Sequence, residues 1–142
     1  MSVTVLLAPV PRDHILAARE VAERTGGRVA FGSGANDPGR MWEFFAEKAE
    51  PGMEVLIYVS TTGEGEYYGH GFSHRGKFGG VFASERDVLD LRPATAIAGD
   101  TGHGCYWVVE EFEQLMKENF VLFGRYGLQG TLRGPKISKM KK

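Results

Sequence analysis

Residues 55–66 read Val-Leu-Ile-Tyr-Val-Ser-Thr-Thr-Gly-Glu-Gly-Glu, and this stretch decides the predicted fold. Its first five residues are apolar or aromatic and rich in β-branched side chains, which is typical of a strand buried on both faces of a parallel sheet. The next seven are hydroxyls, glycines and carboxylates, which cannot continue a buried strand. Because ligands of open α/β sheets bind at the carboxyl ends of the strands, the stretch predicts a central strand that ends in a ligand-binding loop.

Two strand–helix units are predicted before this central strand. Residues 3–8 form the first strand, which stops at Pro9, and residues 28–31 form a second, weaker strand. Apolar residues at helical spacing follow each strand, and Asp37 before Pro38 supplies an N-cap and a first helical residue for the second helix. The predicted buried positions are Ile15, Leu16, Ala18, Val21 and Ala22 in the first helix, and Met41, Phe44, Phe45 and Ala49 in the second.

The chain after the central strand is less regular. Residues 66–80 are rich in tyrosine, histidine and glycine and show no period, which predicts an irregular segment. Ser84 with Asp87 predicts the start of a short helix that ends near Leu91. Residues 94–98 are a fourth strand, residues 99–104 a second polar glycine loop, and residues 120–130 a fifth strand. A helix is predicted after the second loop, with one face made of Cys105, Val108, Val109, Phe112, Leu115 and Met116.

This element order predicts the fold class. Strands that alternate with helices indicate a parallel sheet covered on both faces, with right-handed crossovers. Five strands in 142 residues fit an α/β, doubly wound, five-stranded parallel sheet with the strand order 2-1-3-4-5. The ligand cleft of such a sheet lies at the carboxyl ends of strands one, three and four.

Composition indicates a single domain with a basic end. The formal net charge of −1 argues against a general nucleic-acid binder, which would carry a basic face. Residues 133–142 contain five basic residues and no acid, so we expect a domain at 1–132 and a disordered, solvated tail at 133–142. A single cysteine, Cys105, fits a reducing compartment, and the sequence offers neither a signal peptide nor a membrane span. We therefore expect a cytoplasmic protein.

The two glycine loops carry a resemblance to a known family. Residues 60–65 are similar to the flavin-binding loop of flavodoxins, and residues 99–104 with Tyr106 resemble the second flavin loop. Within that superfamily the sequence most resembles NrdI, the small flavodoxin of class Ib ribonucleotide reductase systems. The spacing of Gly99 and Gly104 and the segment 126–131 carry this likeness. The resemblance implies a flavodoxin-like fold and an FMN cofactor held by Arg12, Asp13, His14, Ser60, Thr61, Thr62, Gly63, Glu64, Gly65, Tyr67, Gly99, Asp100, Thr101, Gly102, His103, Gly104 and Tyr106.

The predicted phosphate loop departs from the flavodoxin pattern. Flavodoxins have a Ser/Thr-rich turn after strand one, whereas this chain has Pro9 and Pro11, which remove two backbone N–H donors, and no hydroxyl. Arg12 and His14 replace the missing donors with charge, since a guanidinium binds phosphate well. Asp13 opposes them.

The resemblance also implies roles for individual loop residues. Gly63 or Gly65 would allow a peptide to turn toward the flavin, because glycine tolerates such a turn. Glu64 and Glu66 either disfavour the anionic reduced flavin or are solvated turn residues. Five aromatic residues are candidates to stack on the flavin ring, with Tyr67 and Tyr106 favoured and Trp107 expected inside the core; the others are Tyr68 and Phe72.

A zinc site made of His70, His74, His103 and Cys105 is disfavoured, because glycine-rich flanks leave these ligands unsupported and the His-x-Cys spacing is not a usual one. We instead expect residues 70–80 to form a flexible flap. In such a flap, the two histidines, Arg75 and Lys77 would face solvent or a partner.

Three functions follow from these expectations. The first is an NrdI-like FMN protein, a redox accessory rather than a substrate-turnover enzyme, which supplies oxidant or electrons for assembly of the dimanganese-tyrosyl radical cofactor. Its partners would be the class Ib ribonucleotide reductase radical subunit and a flavin or thiol reductase, with no nucleic acid and no membrane. The second is a general flavodoxin electron shuttle. The third is a flavin-free binding module, for which the altered loop at residues 8–14 is the argument.

Overall fold

A computed structural model of the protein describes residues 4–32, 38–59, 71–93, 105–116, 121–122 and 135–139. Within these ranges the chain forms eight strands, two α-helices and one 3₁₀ helix. In chain order they are β1 (Thr4–Val10), α1 (Arg12–Thr25), β2 (Val29–Gly32), α2 (Pro38–Lys48), β3 (Glu54–Val59), β4 (Gly71–Phe72), β5 (His74–Phe82), the 3₁₀ helix (Glu85–Leu91), β6 (Tyr106–Gln114), β7 (Val121–Leu122) and β8 (Lys136–Lys139).

The main sheet is mixed rather than parallel, so the predicted fold class is wrong. In the described part of the chain its six strands lie in the order β2-β6-β5-β3-β1-β8, and of the pairs found there only β1 and β3 are parallel. The pairs β2–β6, β5–β6, β3–β5 and β1–β8 are antiparallel. The short strands β4 and β7 form a separate antiparallel pair. A flavodoxin-like parallel sheet of order 2-1-3-4-5 is therefore excluded.

The first half of the chain folds as its local signals predict. The β1-α1-β2-α2-β3 segment is confirmed, with α1 ending at Gly26, which has a φ of 74° and donates its N–H to the carbonyl of Ala22. Left-handed backbone of this kind favours glycine. The 3₁₀ helix begins after Ser84, as predicted, and the Ser84 hydroxyl accepts a hydrogen bond from the backbone N–H of Arg86.

Residues 105–116 form strand β6 where a helix is predicted. Trp107 and Val109 face the helix-side core, and Val108 faces the other side of the sheet, which is the alternation of a strand. A β-bulge interrupts this alternation at Glu111, which has a φ of 52°. The extra residue returns Phe112 to the helix side, three positions after Val109. The bulge therefore produces, within a strand, the spacing that suggests a helix.

The predicted irregular segment is also regular where it is described, because residues 74–82 form the central strand β5. Gly76 is required there: a Cβ atom on it would collide with Cγ1 of Val109 and lie 2.8 Å from the carbonyl oxygen of Glu110. The glycine that suggests flexibility instead permits the close approach of β5 and β6.

Two further predictions can be placed. Residues 136–139 of the basic tail, for which we expected disorder, form β8 beside β1. The predicted fourth strand, at 94–98, lies outside the described residues, as does all of the predicted fifth strand except β7.

A single large core joins both α-helices to one face of the sheet. Ile15 and Ala18 of α1 and Phe45 of α2 are completely buried against it. The 3₁₀ helix covers part of the opposite face, where Val88 packs against Ala30 and Val108. The two α-helices thus lie on the same side, which differs from a doubly wound sheet with helices on both faces.

Candidate functional site

The parallel pair β1–β3 defines one end of the sheet. Val10, the last residue of β1, pairs in register with Val59, the last residue of β3. We call this end of the sheet the carboxyl end. The helix that begins at Arg12 therefore starts beside Val59, the last residue of β3, as the sequence predicts.

Helix α1 runs from β1 toward β6 at this end. Its first residue, Arg12, follows β1 by two positions, whereas Arg19 donates to the side-chain oxygen of Gln114, the last residue of β6, over 2.5 Å. In the sheet, β3 and β5 lie between β1 and β6. The helix consequently passes the end of β3, where the predicted ligand loop starts.

Arg12 and Arg19 share one face of α1. They are seven residues apart, which is close to two helical turns, so their side chains point the same way. The Nε atoms of both guanidinium groups are buried. Two long cationic side chains therefore lie partly inside the protein at the carboxyl end of the sheet, rather than extending fully into water.

His74, the first residue of β5, is completely buried near Arg19. Its ring stacks on Phe112, with the ring centroids 5.5 Å apart and the planes inclined by 12°. Burial, and secondarily the positive charge of Arg19, lower the pKa of His74 from 6.5 to about 4. The imidazole is therefore neutral at pH 7. The expectation that this histidine faces solvent or a partner is wrong, because its side chain is completely buried.

Ser73 connects three strands next to His74. Its backbone N–H donates to the carbonyl of Ile57 over 3.0 Å, and its carbonyl accepts from the N–H of Leu115 over 2.8 Å. The Ser73 side chain is buried and hydrogen-bonded to Nδ1 of His74. These bonds fix the start of β5 between the ends of β3 and β6.

The predicted site residues divide into three groups. Arg12, Asp13 and His14 lie together in the first turn of α1, where Asp13 is exposed and the other two are half-buried. Tyr106 does not join them, because it begins β6 and so lies at the opposite end of the sheet. The rest lie outside the described residues: Ser60, Thr61, Thr62, Gly63, Glu64, Gly65, Tyr67, Gly99, Asp100, Thr101, Gly102, His103 and Gly104.

The environment of Tyr106 is that of a core residue. Its side chain is buried, and the guanidinium carbon of Arg92 lies 5.1 Å from its ring centroid. Arg92 also donates to a carboxylate oxygen of Glu85 and to the carbonyl of Ala30, both over 3.1 Å. Tyr106 thus takes part in fastening the 3₁₀ helix to the sheet. Trp107 is buried in the core, as expected.

Sequence reasoning missed three members of the site, namely Arg19, Ser73 and Gln114. A signal existed only for Arg19, which repeats Arg12 at the spacing of two helical turns. Ser73 and Gln114 reach the site through the antiparallel pairing of β5 with β6, in which His74 is opposite Gln114. No local pattern in the sequence reveals that pairing.

A second polar surface lies on the other face of the sheet. Arg75 pairs with Glu113, and Lys77 pairs with Glu111 over 3.3 Å; all four side chains are at least half exposed. They line an open cavity of about 320 Å³ together with Gly52, Glu54 and Gly76. The prediction of a flexible flap is therefore wrong for the described residues 71–80, and Arg75 and Lys77 are cross-strand ion-pair partners.

Neither a metal cluster nor a membrane-spanning helix occurs in the described ranges. No group of three or more histidine, cysteine, aspartate or glutamate side chains there could hold a metal ion. Of the four residues of the disfavoured zinc site, His70 and His103 lie outside these ranges. Among the helices of the described residues, none is long and apolar enough to cross a membrane.

The arrangement at the carboxyl end of the sheet is suited to binding an anion. Arginine guanidinium groups bind phosphate and carboxylate through paired, charge-assisted hydrogen bonds. The neutral His74 adds no positive charge that would repel the arginines, and its ring is already held by Ser73 and Phe112.

Comparison with known proteins adds no assignment. No protein-family model matches the chain, and no curated protein matches it significantly. The crystal structure of a Pseudomonas putida protein, determined by the Northeast Structural Genomics Consortium, is similar over 85% of this chain and 74% of that one. The identity is 15% and the TM-score 0.49. A similarity of this size supports no argument about fold or function.

Proposed function

We propose that the protein binds a small phosphate-bearing ligand at the carboxyl end of β1 and β3, with Arg12 as the phosphate contact. The register pair Val10–Val59 carries this proposal, because it puts the first turn of α1 beside the start of the segment at residue 60. The buried Nε of Arg12 supports it further, since a partly desolvated guanidinium binds phosphate more strongly than one in water.

FMN is the ligand that the sequence favours. The support is the resemblance of residues 60–65 to a flavin-binding loop, together with the guanidinium that replaces the hydroxyls of a usual phosphate loop. When bound, FMN would supply electron-transfer chemistry, and the protein would control its environment. The NrdI-like role, with a class Ib radical subunit and a reductase as partners, is proposed only together with FMN binding.

A second candidate is a binding module that uses the same site for a phosphate-bearing ligand other than flavin. Two observations favour it. The sheet is mixed, and Tyr106, two residues after the second predicted flavin loop, lies at the far end of the sheet from Val59. Val59, which precedes the first predicted flavin loop, and Tyr106, which follows the second, therefore lie at opposite ends of the sheet.

Titration with three ligands tests both candidates. FMN has a ring and a phosphate, riboflavin has the ring alone, and ribose 5-phosphate has the phosphate alone. Flavin fluorescence reports binding of the first two, and calorimetry reports binding of the third. Binding of FMN and riboflavin supports the flavin protein, whereas binding of ribose 5-phosphate without riboflavin supports the other module. Protein that binds none of the three contradicts the proposal.

The variant Arg12→Gln tests the phosphate contact. It should weaken the affinity for FMN by roughly ten- to a hundredfold, because charge-assisted hydrogen bonds contribute about 1.5–3 kcal/mol. The affinity for riboflavin, which has no phosphate, should stay unchanged. Arg28→Gln is the matched control, because Arg28 is an exposed arginine paired with Glu110 outside the site. Equal losses for FMN and riboflavin in Arg12→Gln would assign Arg12 another role.

A further inference from the structure

We propose that the open cavity on the face of the sheet opposite the α-helices binds a small amino acid in its zwitterionic form. The ammonium group of the ligand contacts Glu54, and the carboxylate contacts Arg75 and Lys77, all of which line the cavity. This site is separate from the proposed phosphate site, because Glu54 is the first residue of β3 and the phosphate site lies beyond Val59, the last. Failure of one site therefore leaves the other standing.

The charged side chains around the cavity change sign from strand to strand. The central strand β5 contributes two cations, Arg75 and Lys77, whereas β3 contributes Glu54 and β6 contributes Glu111 and Glu113. The bulge in β6 supplies one of these carboxylates, because the pairing of β5 with β6 shifts by one residue between Arg75 and Lys77. The cavity thus has a positively charged strand at its centre and carboxylates on both sides.

The carboxylate of Glu54 is available to a ligand. It has no ion-pair or hydrogen-bond partner within the described part of the chain, although Glu54 is opposite Lys77 in the sheet. Lys77 instead pairs with Glu111, with 3.3 Å between Nζ and the carboxylate oxygen. Glu54 is also half-buried, so its carboxylate is partly shielded from water. An ammonium group in the cavity supplies the positive partner that Glu54 lacks.

The two cations keep hydrogen-bond donors for the carboxylate of a ligand. Arg75 contacts Glu113 through Nε, and the terminal nitrogens of a guanidinium carry further N–H donors in the planar fork that matches a carboxylate. Lys77 carries three N–H donors, and its ion pair with Glu111 needs one. A carboxylate that lies over β5 therefore meets donors from both side chains.

The distances within the sheet suit a ligand whose two charges are close together. Residues directly opposite each other on antiparallel strands, such as Glu54 and Lys77, have Cβ atoms about 4.5–5.5 Å apart. The ammonium and carboxylate groups of an amino acid are joined through one carbon atom, so one small molecule reaches both side chains. The cavity volume of about 320 Å³ is at the lower end of the usual range for ligand sites, roughly 300–1,000 Å³.

Other classes of ligand fit these charges less well. The described residues contain no group of three or more side chains that could hold a metal ion. A simple anion is attracted by Arg75 and Lys77 but repelled by the carboxylates on both sides, and a simple cation has the opposite difficulty. A zwitterion gains an attractive contact at each end. Because the cavity is open to water, which weakens contacts between charges, we expect a dissociation constant of roughly 1 mM.

The competing interpretation is that these residues only form exposed ion pairs that keep the surface hydrated. The two interpretations differ in what they predict for matched probes. L-Alanine carries both charges, ethylamine keeps only its ammonium group, and propionate keeps only its carboxylate. Surface ion pairs without a site would give alanine no advantage over either half.

Titration followed by the NMR shifts of backbone amides tests the site. Alanine, added to about 50 mM, should shift the amides of Glu54, Gly76 and Lys77 and bind at least threefold more tightly than ethylamine or propionate. Glu54→Gln should weaken alanine and ethylamine by roughly threefold or more and leave propionate unchanged. Arg75→Gln should weaken alanine and propionate but not ethylamine.

Glu47→Gln is the matched control, because Glu47 is an exposed carboxylate on helix α2, outside the cavity. It should leave all three affinities unchanged, and the amide spectrum of each variant establishes that it is folded. Wild-type protein whose amides around the cavity do not respond to alanine would overturn the inference. So would alanine binding no tighter than that of either half, or binding that is the same in Glu54→Gln and Glu47→Gln.

Discussion

Nδ1 of His74 lies 2.8 Å from Oγ of Ser73, and both side chains are completely buried at the start of β5. Two neighbouring polar residues are thus placed in the core of a sheet and hydrogen-bonded to each other. The pairing satisfies groups that would otherwise destabilise the interior. Burial, and secondarily the charge of Arg19, lower the pKa of His74 and keep its imidazole neutral at pH 7.

We expect the stability of the protein to fall in mild acid because of His74. Its pKa in the folded state is lowered to about 4, against 6.5 when unfolded, so below pH 6.5 the unfolded state takes up the proton more readily. The contribution is fully present above pH 6.5 and is lost as the pH falls toward 4, by about 3 kcal/mol in total. Urea unfolding between pH 4 and 8 measures it.

Two variants test whether the titration of His74, rather than its hydrogen bond to Ser73, causes this pH dependence. His74→Gln should flatten the free energy of unfolding between pH 4 and 6.5 relative to wild type. Ser73→Ala should lower stability at every pH but keep the slope, because burial is the main cause of the lowered pKa. An unchanged slope in His74→Gln would show that another group is responsible.

A methyl group on Gly76 should destabilise the protein strongly. It would collide with the Val109 side chain and press on the carbonyl oxygen of Glu110, so we expect Gly76→Ala to cost about 1–3 kcal/mol or more. Gly39→Ala is the matched control, since nothing lies within 4 Å of the position that a methyl group would take there on helix α2; it should be neutral or stabilising by up to about 1 kcal/mol. Thermal unfolding of both variants checks this, and similar melting temperatures would contradict it.

Cys105 should resist alkylation in the folded protein. The side chain is fully buried, and burial raises its pKa from 9.0 to about 11, which lowers the thiolate fraction near pH 8 about a hundredfold. Because the thiolate is the reacting form, iodoacetamide labelling followed by mass spectrometry should show slow reaction in buffer and rapid reaction in denaturant. Rapid labelling of folded protein would mean that residues around Cys105 open readily.

Replacing the exposed ion pairs on β5 should have little effect on stability. Arg75 and Lys77 pair with glutamates of β6 across a solvated surface, and exposed pairs contribute about 0–1 kcal/mol. Arg75→Gln and Lys77→Gln should each shift the free energy of unfolding by less than about 1 kcal/mol, and less at high salt. Larger losses that persist in high salt would indicate that these side chains contribute through packing.

Local signals in the sequence predicted the strands and helices of residues 4–32 and 38–59 well. Helical spacing and the Ser84 cap are local features, and the β1-α1-β2-α2-β3 segment and the start of the 3₁₀ helix followed them. The position of Arg12 beside the end of β3 was also predicted, because it required only that β1 and β3 be parallel neighbours. Each of these features is set by residues close to one another in the chain.

The sequence by itself therefore determined where the first strands and helices begin and that Arg12 and Val59 lie at one end of the sheet. Tertiary structure alone decided that β5 and β6 enter between β3 and β2, which turns a predicted parallel sheet into a mixed one. The bulge at Glu111 gives a strand the apolar spacing of a helix. In the sequence Gly76 indicates flexibility, but in the structure it leaves the space that the Val109 side chain occupies. Tertiary structure also brings together the side chains of Arg19, Ser73, His74 and Gln114. Their contacts depend on pairing between strands that are distant in the chain. The free energy of that pairing comes from packing and hydrogen bonds that no local sequence pattern specifies.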